Sequence, residues 1–314
     1  HWELMGVVLE RALPTYPRGF PPEVIARLVA ATGHELICNA PRDGIAAIEE
    51  FGADHVRTGA LILYTSQDSV LQLAAHVDVV APQRLYEACA AARAALTGEH
   101  AVGRVIARPF AGRGGAFTRT EGRRDLTLAP PARSYLQELQ DAAVAVHAVG
   151  KIADLFAGVG VTLSHPGASN ARALESVDEV LTQIDHGLVF ANLIETDQTF
   201  GHRKDVEGFA RSLRALDDYL AGLLGRLREG DLLIVTADHG VDPAHAGSDH
   251  TREYAPLLAV TGAMWSVVSE GARPTRTRTS RHDGPLADVG ATALRWLAGR
   301  DAEALPGVQF ADEL

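Results

Sequence analysis

Two apolar runs of strand length, at 187–194 and 231–235, are each followed by an aspartate and a histidine, and a further histidine comes after the second run. The five residues are Asp197, His202, Asp238, His239 and His250. Parallel α/β sheets carry their chemistry at the carboxyl ends of their strands. We therefore predict that these side chains meet at one edge of a sheet.

Side chains of these two types are metal ligands. Carboxylate oxygens and imidazole nitrogens together favour Mn²⁺, Zn²⁺ or iron over Mg²⁺, which prefers oxygen ligands. Five such side chains exceed the need of one ion, and a pair of ions roughly 4 Å apart is a common device for phosphoryl transfer. The alternative is that each Asp–His pair is a turn residue beside a capping residue. The recurrence of the pair after two apolar runs, together with His250, favours the metal centre.

The elements around these residues alternate along the chain. Helices are predicted at 21–33, 43–52, 82–96, 134–142, 169–184, 205–228 and 286–298, and strands at 34–39, 59–65, 102–108, 144–149, 187–194, 231–237 and 256–261. Alternation of this kind predicts a parallel α/β sheet. Between 109 and 131 the composition changes to Gly, Arg, Thr and Pro, which indicates either a domain boundary or a functional loop.

Composition and charge limit the classes of function that the chain can have. The chain has 314 residues, enough for one large or two ordinary domains, and its hydrophobic content of 46% allows a substantial core. The net charge of −11 argues against a nucleic-acid partner, which would require a positive surface. The stretch 99–133 is nevertheless rich in arginine. It indicates either recognition of phosphate or carboxylate groups or a solvated basic loop.

The sequence carries no membrane or export signal. No apolar run is long enough to span a bilayer, and the first residues lack the basic and apolar regions of a signal peptide. Cys38 and Cys89 lie far apart, which is typical of a protein from a reducing compartment. We therefore expect a cytoplasmic protein with no membrane partner. Because the chain starts with His1 rather than Met, we also expect that its true beginning lies upstream.

Several segments resemble the alkaline phosphatase superfamily and, within it, the phosphopentomutase family. These segments lie at 64–70, 103–110, 117–120, 149–156, 201–205, 237–240 and 249–254, in the order in which the family has them. The Ala-Asp-His-Gly motif at 237–240 is shared across the superfamily. Its combination with Phe-Thr-Arg-Thr at 117–120 and Asp-His-Thr-Arg-Glu-Tyr at 249–254 is specific to the family.

The resemblance implies an architecture and a set of site residues. It implies an alkaline phosphatase-like α/β core, at 1–11 and 129–314, with a mainly parallel sheet and helices on both faces, and a smaller inserted α/β cap at 12–128. It implies two Mn²⁺ ions, one held by Asp197, His202 and His250 and the other by Asp238 and His239. The residues implied to contact the sugar phosphate are Ser66, Asp68, Val70, Arg104, Ile106 and Lys151.

Elementary chemistry agrees with part of this assignment. Asp68 can accept hydrogen bonds from sugar hydroxyls, although a strand-end turn would also explain it. Arg104 offers a fork of donors to a phosphate, but a surface arginine on a strand is an equal alternative. Lys151 follows Gly150 at the start of a predicted helix, where the helix dipole disfavours a cation unless an anion is close.

The activity that the resemblance implies is the movement of phosphate between the 1 and 5 positions of ribose or deoxyribose, through a phosphothreonine and a bisphosphate. Pentose phosphates would be the substrates and a sugar bisphosphate an activator. The family's nucleophilic threonine and one further metal ligand are expected just upstream of His1, so no threonine of this sequence is assigned that role. Two alternatives stay open, a metal-dependent phosphatase or phosphodiesterase of the same superfamily and a truncated, non-catalytic remnant.

Overall fold

The computed structural model describes residues 1–113, 116–247, 250–269 and 281–314. The chain divides into two units. Unit 1 comprises His1–Val8 and Pro130–Leu314, and unit 2 comprises Leu9–Ala129. The family resemblance predicts a catalytic core at 1–11 and 129–314 and a cap at 12–128, and these two roles stay predictions.

Unit 2 is built from three α-helices, six strands and a short 3₁₀ turn within the described residues. They are, in chain order, α1 (Pro22–Thr32), β1 (Leu36–Pro41), α2 (Gly44–Thr58), β2 (Leu61–Thr65), β3 (Val70–His76), α3 (Pro82–Ala95), the 3₁₀ turn (Gly98–His100), β4 (Arg104–Arg113), β5 (Ala116–Arg119) and β6 (Arg124–Thr127). Local signals set the helix ends. The Asp43 carboxylate accepts hydrogen bonds from the backbone N–H groups of Ile45 and Ala46 at the start of α2. At the end of α1, Gly33 adopts a left-handed φ of 70° that glycine tolerates best.

The strands of unit 2 form one mixed sheet in the order β1-β2-β3-β4-β5, and β6 also pairs with β4. Strands β1 and β2 are parallel, as are β3 and β4, whereas β2 and β3 are antiparallel. The antiparallel pair follows from the short connection at 66–69, because a parallel pair needs a crossover of a dozen or more residues.

Alternate residues of the central strands pack against opposite layers of helices. Leu61 and Leu63 lie in a buried cluster with residues of α1 and α3. Ile62 and Tyr64 lie in another buried cluster with residues of α2. This alternation is the period of two expected of a strand that is buried on both faces.

Unit 1 contains the remaining elements. They are a short 3₁₀ turn (Glu3–Met5), α4 (Tyr135–Asp141), β7 (Val146–Val149), α5 (Ile152–Leu155), β8 (Leu163–His165), α6 (Asn170–Leu181), β9 (Leu188–Ala191), a π-helical turn (Thr196–Gly201), α7 (Val206–Leu224), β10 (Leu232–Thr236), β11 (Leu257–Thr261), α8 (Gly262–Ser269), α9 (Ala287–Ala298) and a 3₁₀ turn (Ala311–Glu313). Strand β7 pairs in parallel with both β8 and β9, and β10 pairs with β11 in antiparallel fashion. The larger buried cluster of this unit includes Leu4, Tyr135, Val146 and Leu294, and a smaller one includes Val149 and Ala173.

The predicted α/β class is confirmed. The stretch 109–131 is predicted to be either a domain boundary or a functional loop, and the two units divide within it, between Ala129 and Pro130. The loop alternative is wrong for much of the stretch. Strand β4 extends to Arg113, and β5 and β6 both pair with it. Phe110 and Phe117 explain the β4–β5 pairing, because their rings meet edge to face at 5.3 Å and remove apolar surface from water. Among the described residues, no helix is both long and apolar enough to cross a membrane.

Candidate metal centre

The predicted metal ligands all lie in unit 1, on segments that follow two of its strands. Asp197 lies in the π-helical turn after β9, and Asp238 and His239 come directly after β10. His250 lies on the connection to β11, just beyond Ser248 and Asp249, two residues of the predicted motif region that are outside the described residues.

A backbone bridge brings His250 back to His239. Gly240 and Thr251 form an antiparallel bridge in which Thr251 N–H donates to the Gly240 carbonyl at 3.0 Å. A Cβ at position 240 would lie 2.9 Å from the Thr251 carbonyl oxygen, so glycine is required for this close approach. The bridge stacks the rings of His239 and His250, whose centroids are 3.7 Å apart.

The π-helical turn joins His202 to Asp197. The His202 N–H donates to the Asp197 carbonyl at 3.0 Å, which is the wide hydrogen bond of a π turn. The same turn places His202 Nε2 3.4 Å from Asp197 Oδ1, and His250 Nε2 lies 3.3 Å from that oxygen. The side chains of His202 and His250 therefore converge on one carboxylate oxygen.

The structure links all five predicted ligands into one cluster. Ligand atoms of Asp197, His239 and His250 all lie within 4.8 Å of one another. Asp238 joins through its neighbour, since its Oδ2 lies 3.4 Å from His239 Nε2. The tightest trio thus takes His239 from one predicted ligand set and Asp197 and His250 from the other.

The environment of Asp197 fits a divalent cation. Its Oδ1 atom is buried and has no hydrogen-bond partner among the described residues, although two imidazole nitrogens lie close to it. A buried carboxylate oxygen without a partner is costly. An ion that accepts both oxygen and nitrogen ligands would satisfy this oxygen together with the imidazole nitrogens around it.

Sequence reasoning did not identify His1 as a residue of this cluster. Its Nδ1 lies 2.8 Å from Asp238 Oδ2, and its ring centroid lies 6.3 Å from that of Phe190. Burial raises the pKa of Asp238, but the hydrogen bond from His1 and the charges of His1 and His239 outweigh it and leave the pKa below its ordinary value. The two residues lie far apart in the sequence, so no local pattern predicts the contact.

Lys151, predicted to contact the sugar phosphate, reaches the turn that carries Asp197. Its Nζ donates to Gln198 Oε1 at 2.6 Å. The start of this turn is held by Asn170 and Glu195, which exchange two hydrogen bonds through backbone N–H groups and side-chain oxygens. Sequence reasoning missed the supporting roles of Gln198, Asn170 and Glu195, because their hydrogen-bond partners are distant in sequence.

The other five predicted substrate residues, Ser66, Asp68, Val70, Arg104 and Ile106, lie in unit 2. Ser66 Oγ accepts a hydrogen bond from the Asp68 N–H at 3.2 Å within the β2–β3 turn. Val70 and Arg104 are register partners on β3 and β4, and Arg104 Nη2 lies 4.0 Å from Asp68 Oδ2. Val70 and Ile106 are buried. Asp125 Oδ2, which sequence reasoning missed, lies 3.8 Å from Arg104 Nη1.

The chain matches the metalloenzyme superfamily over residues 25–299. It is 44% identical to the phosphopentomutase of Caldanaerobacter subterraneus subsp. tengcongensis over 290 residues, which is 92% of this chain and 74% of the relative. It is 45% identical to that of Carboxydothermus hydrogenoformans over 292 residues, 93% of this chain and 73% of the relative. The chain belongs to the phosphopentomutase family. The family predicted from the motifs, which is a family of isomerases, is confirmed.

Other members of the phosphopentomutase family give the same result. The phosphopentomutase of Herpetosiphon aurantiacus is 44% identical over 315 aligned positions, which cover 100% of this chain and 78% of the relative. The chain thus spans about three quarters of the length of these relatives. Membership of a metalloenzyme superfamily agrees with metal ions at the cluster around Asp197.

Proposed function

We propose that the protein is a phosphopentomutase that moves phosphate between the 1 and 5 positions of ribose or deoxyribose, in nucleoside and pentose phosphate metabolism. In this proposal the reaction passes through a phosphothreonine and a sugar bisphosphate, and a sugar bisphosphate activates the enzyme. The relatives named phosphopentomutase support it. The observation that carries it is the meeting of Asp197, His239 and His250 within 4.8 Å, because phosphoryl transfer commonly uses such metal ligands.

The proposed cofactors are two Mn²⁺ ions. Asp197, His202 and His250 would hold one ion, and Asp238 and His239 would hold the other. When bound, the ions supply positive charge that stabilises the phosphoryl group during its transfer. The residues themselves converge by the π-helical turn and by the Gly240–Thr251 bridge, so the ligand set is arranged by the backbone.

The proposed substrate residues supply complementary chemistry. Arg104 and Lys151 are cations that can donate to phosphate oxygens. Asp68 and Ser66 offer acceptors for sugar hydroxyls, and Asp68 is held near Arg104 by their ion pair of 4.0 Å. Val70 and Ile106 are buried and would form the apolar base beneath the site. The proposed compartment is the cytoplasm, in line with the two free cysteines, Cys38 and Cys89.

The test is an assay of the complete natural protein with ribose 1-phosphate, Mn²⁺ and a catalytic amount of a sugar bisphosphate. ³¹P NMR distinguishes ribose 5-phosphate from inorganic phosphate. Formation of ribose 5-phosphate at a rate that depends on Mn²⁺ is the expected result. Release of inorganic phosphate without ribose 5-phosphate would identify a phosphatase instead, and the absence of both products would leave a non-catalytic protein.

A further inference from the structure

The π-helical turn Thr196–Gly201 is attached to the rest of unit 1 through two residues to which the proposed reaction gives no role, Asn170 and Glu195. The turn carries Asp197, and His202 follows it directly. A π-helical turn is a rare and wide form of helix, and single turns of this kind occur frequently at functional sites. Its conformation therefore depends on contacts with the surrounding structure.

Two reciprocal hydrogen bonds join the start of this turn to the start of α6. Glu195 Oε2 accepts from the Asn170 N–H at 2.7 Å, and the Glu195 N–H donates to Asn170 Oδ1 at 3.1 Å. Because a backbone N–H can only donate, the Asn170 atom that faces Glu195 is the carbonyl oxygen of its side-chain amide. Each residue thus binds the backbone of the other through its side chain.

Helix α6 gives this pair a rigid base. Asn170 is the first residue of the helix, where the backbone N–H groups have no partner within the helix. The negative charge of Glu195 is also favoured at this end of the helix dipole. Further along the helix, Ala173 and Val177 pack against Val149 of β7 in a buried cluster. Glu195 is therefore bound to an element that is itself fixed in the core.

The turn has two further attachments. Asn170 Nδ2 donates to Ser212 Oγ at 3.4 Å, so one asparagine side chain connects α6 and the turn to α7. At the other end of the turn, a Cβ on Gly201 would lie 2.7 Å from Val241 Cγ2, so glycine permits a close approach. Val241 directly follows the segment 238–240, which carries two of the other proposed ligands.

The position of Glu195 determines the position of the proposed ligands in the turn. Glu195 lies two residues before Asp197, and the Asp197 carbonyl accepts from the His202 N–H at 3.0 Å. A displacement of Glu195 would therefore move both Asp197 and His202. Glu195 itself is not one of the three residues whose ligand atoms lie within 4.8 Å of one another among the described residues.

We propose that Glu195 and Asn170 are positioning residues of the metal centre. Their two hydrogen bonds hold the π-helical turn so that Asp197 and His202 face His250 before an ion binds. The inference rests on the proposed function, since it assigns roles at the same site. If the ligands faced one another in only about a tenth of the molecules, the apparent affinity for the ion would fall about tenfold.

Titration calorimetry with Mn²⁺ on the complete natural protein, stripped of divalent ions with EDTA, tests this role. Glu195→Leu removes the acceptor for the Asn170 N–H and should weaken Mn²⁺ binding about tenfold or more, as the loss of an outer partner of a metal ligand does. Glu195→Gln retains an acceptor oxygen and should recover most of the affinity. Asn170→Ala removes the other acceptor and should weaken binding to a similar extent.

The double variant tests whether the two residues act as a unit. Glu195→Leu combined with Asn170→Ala should weaken Mn²⁺ binding about as much as either change alone, because residues of one hydrogen-bond pair have non-additive effects. Glu175→Leu is the control for the glutamate, since Glu175 is exposed and pairs with Arg172 on the surface of α6. Gln183→Leu, at an exposed position just beyond that helix, is the control for the amide.

Urea unfolding of the stripped variants distinguishes positioning from a purely structural role. A loss of stability with natural Mn²⁺ affinity in both Glu195→Leu and Asn170→Ala would overturn the proposal. Glu195→Gln that binds Mn²⁺ as weakly as Glu195→Leu would overturn it too, because the charge and not the hydrogen bond would then matter. Additive effects in the double variant, or a natural protein that does not bind Mn²⁺, would have the same consequence.

The result is distinguishable from that of the isomerase assay. A protein that forms no ribose 5-phosphate, but whose Mn²⁺ affinity falls in Glu195→Leu and recovers in Glu195→Gln, retains the positioning pair and loses the proposed function. A working isomerase whose Mn²⁺ affinity is the same in all these variants retains the proposed function and loses the positioning pair.

Discussion

The two units of the chain collect opposite kinds of polar group. The cluster in unit 1 brings together carboxylate oxygens and imidazole nitrogens, and Asp197 Oδ1 in it has no hydrogen-bond partner among the described residues. The cleft in unit 2, at the start of α2 and the β2–β3 turn, brings together guanidinium groups, and Arg108 and Arg119 have no carboxylate within ion-pair distance in the same described residues. One site requires a cation and the other an anion. The cluster in unit 1 is recognised by a carboxylate oxygen without a partner, and the cleft in unit 2 by guanidinium groups without a carboxylate partner among the described residues.

The histidines of the two units differ in the partners of their ring nitrogens. In unit 1, the ring nitrogens of His202 and His250 face a carboxylate oxygen that a metal ion could share. In unit 2, buried His55 has both ring nitrogens satisfied by the backbone, because Nε2 accepts from the His76 N–H at 2.8 Å and Nδ1 lies 2.7 Å from the Ala60 carbonyl. Since Nε2 is an acceptor, the proton is on Nδ1 and the ring is neutral. His55 is a structural residue, whereas the Nε2 atoms of His202 and His250 lie 3.4 and 3.3 Å from the Asp197 carboxylate.

The largest expected effect comes from removing the carboxylate at the centre of the unit 1 cluster. Asp197→Asn should lower the affinity for Mn²⁺ by more than about 100-fold, because even outer partners of a metal ligand are worth 10–100-fold. Isomerase activity should fall with it. Calorimetry with Mn²⁺ measures this affinity.

Asp185→Asn is the control for this variant, because the Asp185 side chain is fully exposed and pairs with Arg228 on the surface of the same unit. It should bind Mn²⁺ as the natural protein does. Equal Mn²⁺ affinities for the Asp197 and Asp185 variants would contradict the assignment of Asp197 as a metal ligand.

The part of this arrangement that sequence can predict is local. An apolar run followed by aspartate and histidine predicts a strand end with ligands, and Asp197, Asp238 and His239 lie where those runs end. Contacts between segments that are distant in sequence cannot be predicted from such local patterns. Gln72 meets Arg108 only because β3 pairs with β4, and His1 meets Asp238 across about three quarters of the chain. Strands β5 and β6 were missed because the glycine, arginine and threonine residues around them give no clear strand pattern. These short strands are stabilised by their pairing with β4.

A smaller effect should appear in the pH dependence of stability. Burial lowers the pKa of His55 below its ordinary value, against the hydrogen bond to Ala60, which raises it. Above the unfolded pKa of about 6.5 the ring is neutral in both states. As the pH falls below that value, His55 becomes protonated in the unfolded chain but stays neutral in the folded chain. The free energy of unfolding therefore falls, by at most about 1.4 kcal/mol per pH unit for this one group.

Urea unfolding at pH 7 and pH 5 measures this loss, and His55→Gln should reduce it. Burial and the charge of His165 lower the pKa of His147 in unit 1 too, so part of the loss should remain in the variant. His186→Gln, at an exposed position, should leave the loss as it is in the natural protein. An identical loss in the His55 and His186 variants would contradict the assignment of His55 as a neutral, fully bonded residue.

The smallest effect distinguishes two buried tyrosines, one in each unit. Tyr135 in unit 1 is 1% exposed and its hydroxyl donates to the Pro306 carbonyl at 2.9 Å, so Tyr135→Phe should cost about 1 kcal/mol of stability. Tyr64 in unit 2 is equally buried, but its hydroxyl beside Arg119 lacks a hydrogen-bond partner among the described residues. Removing an unsatisfied group costs little. Tyr64→Phe should therefore be as stable as the natural protein or more stable, as urea unfolding in phosphate-free buffer would measure. Equal losses in the two variants would mean that the Tyr64 hydroxyl already has a hydrogen-bond partner.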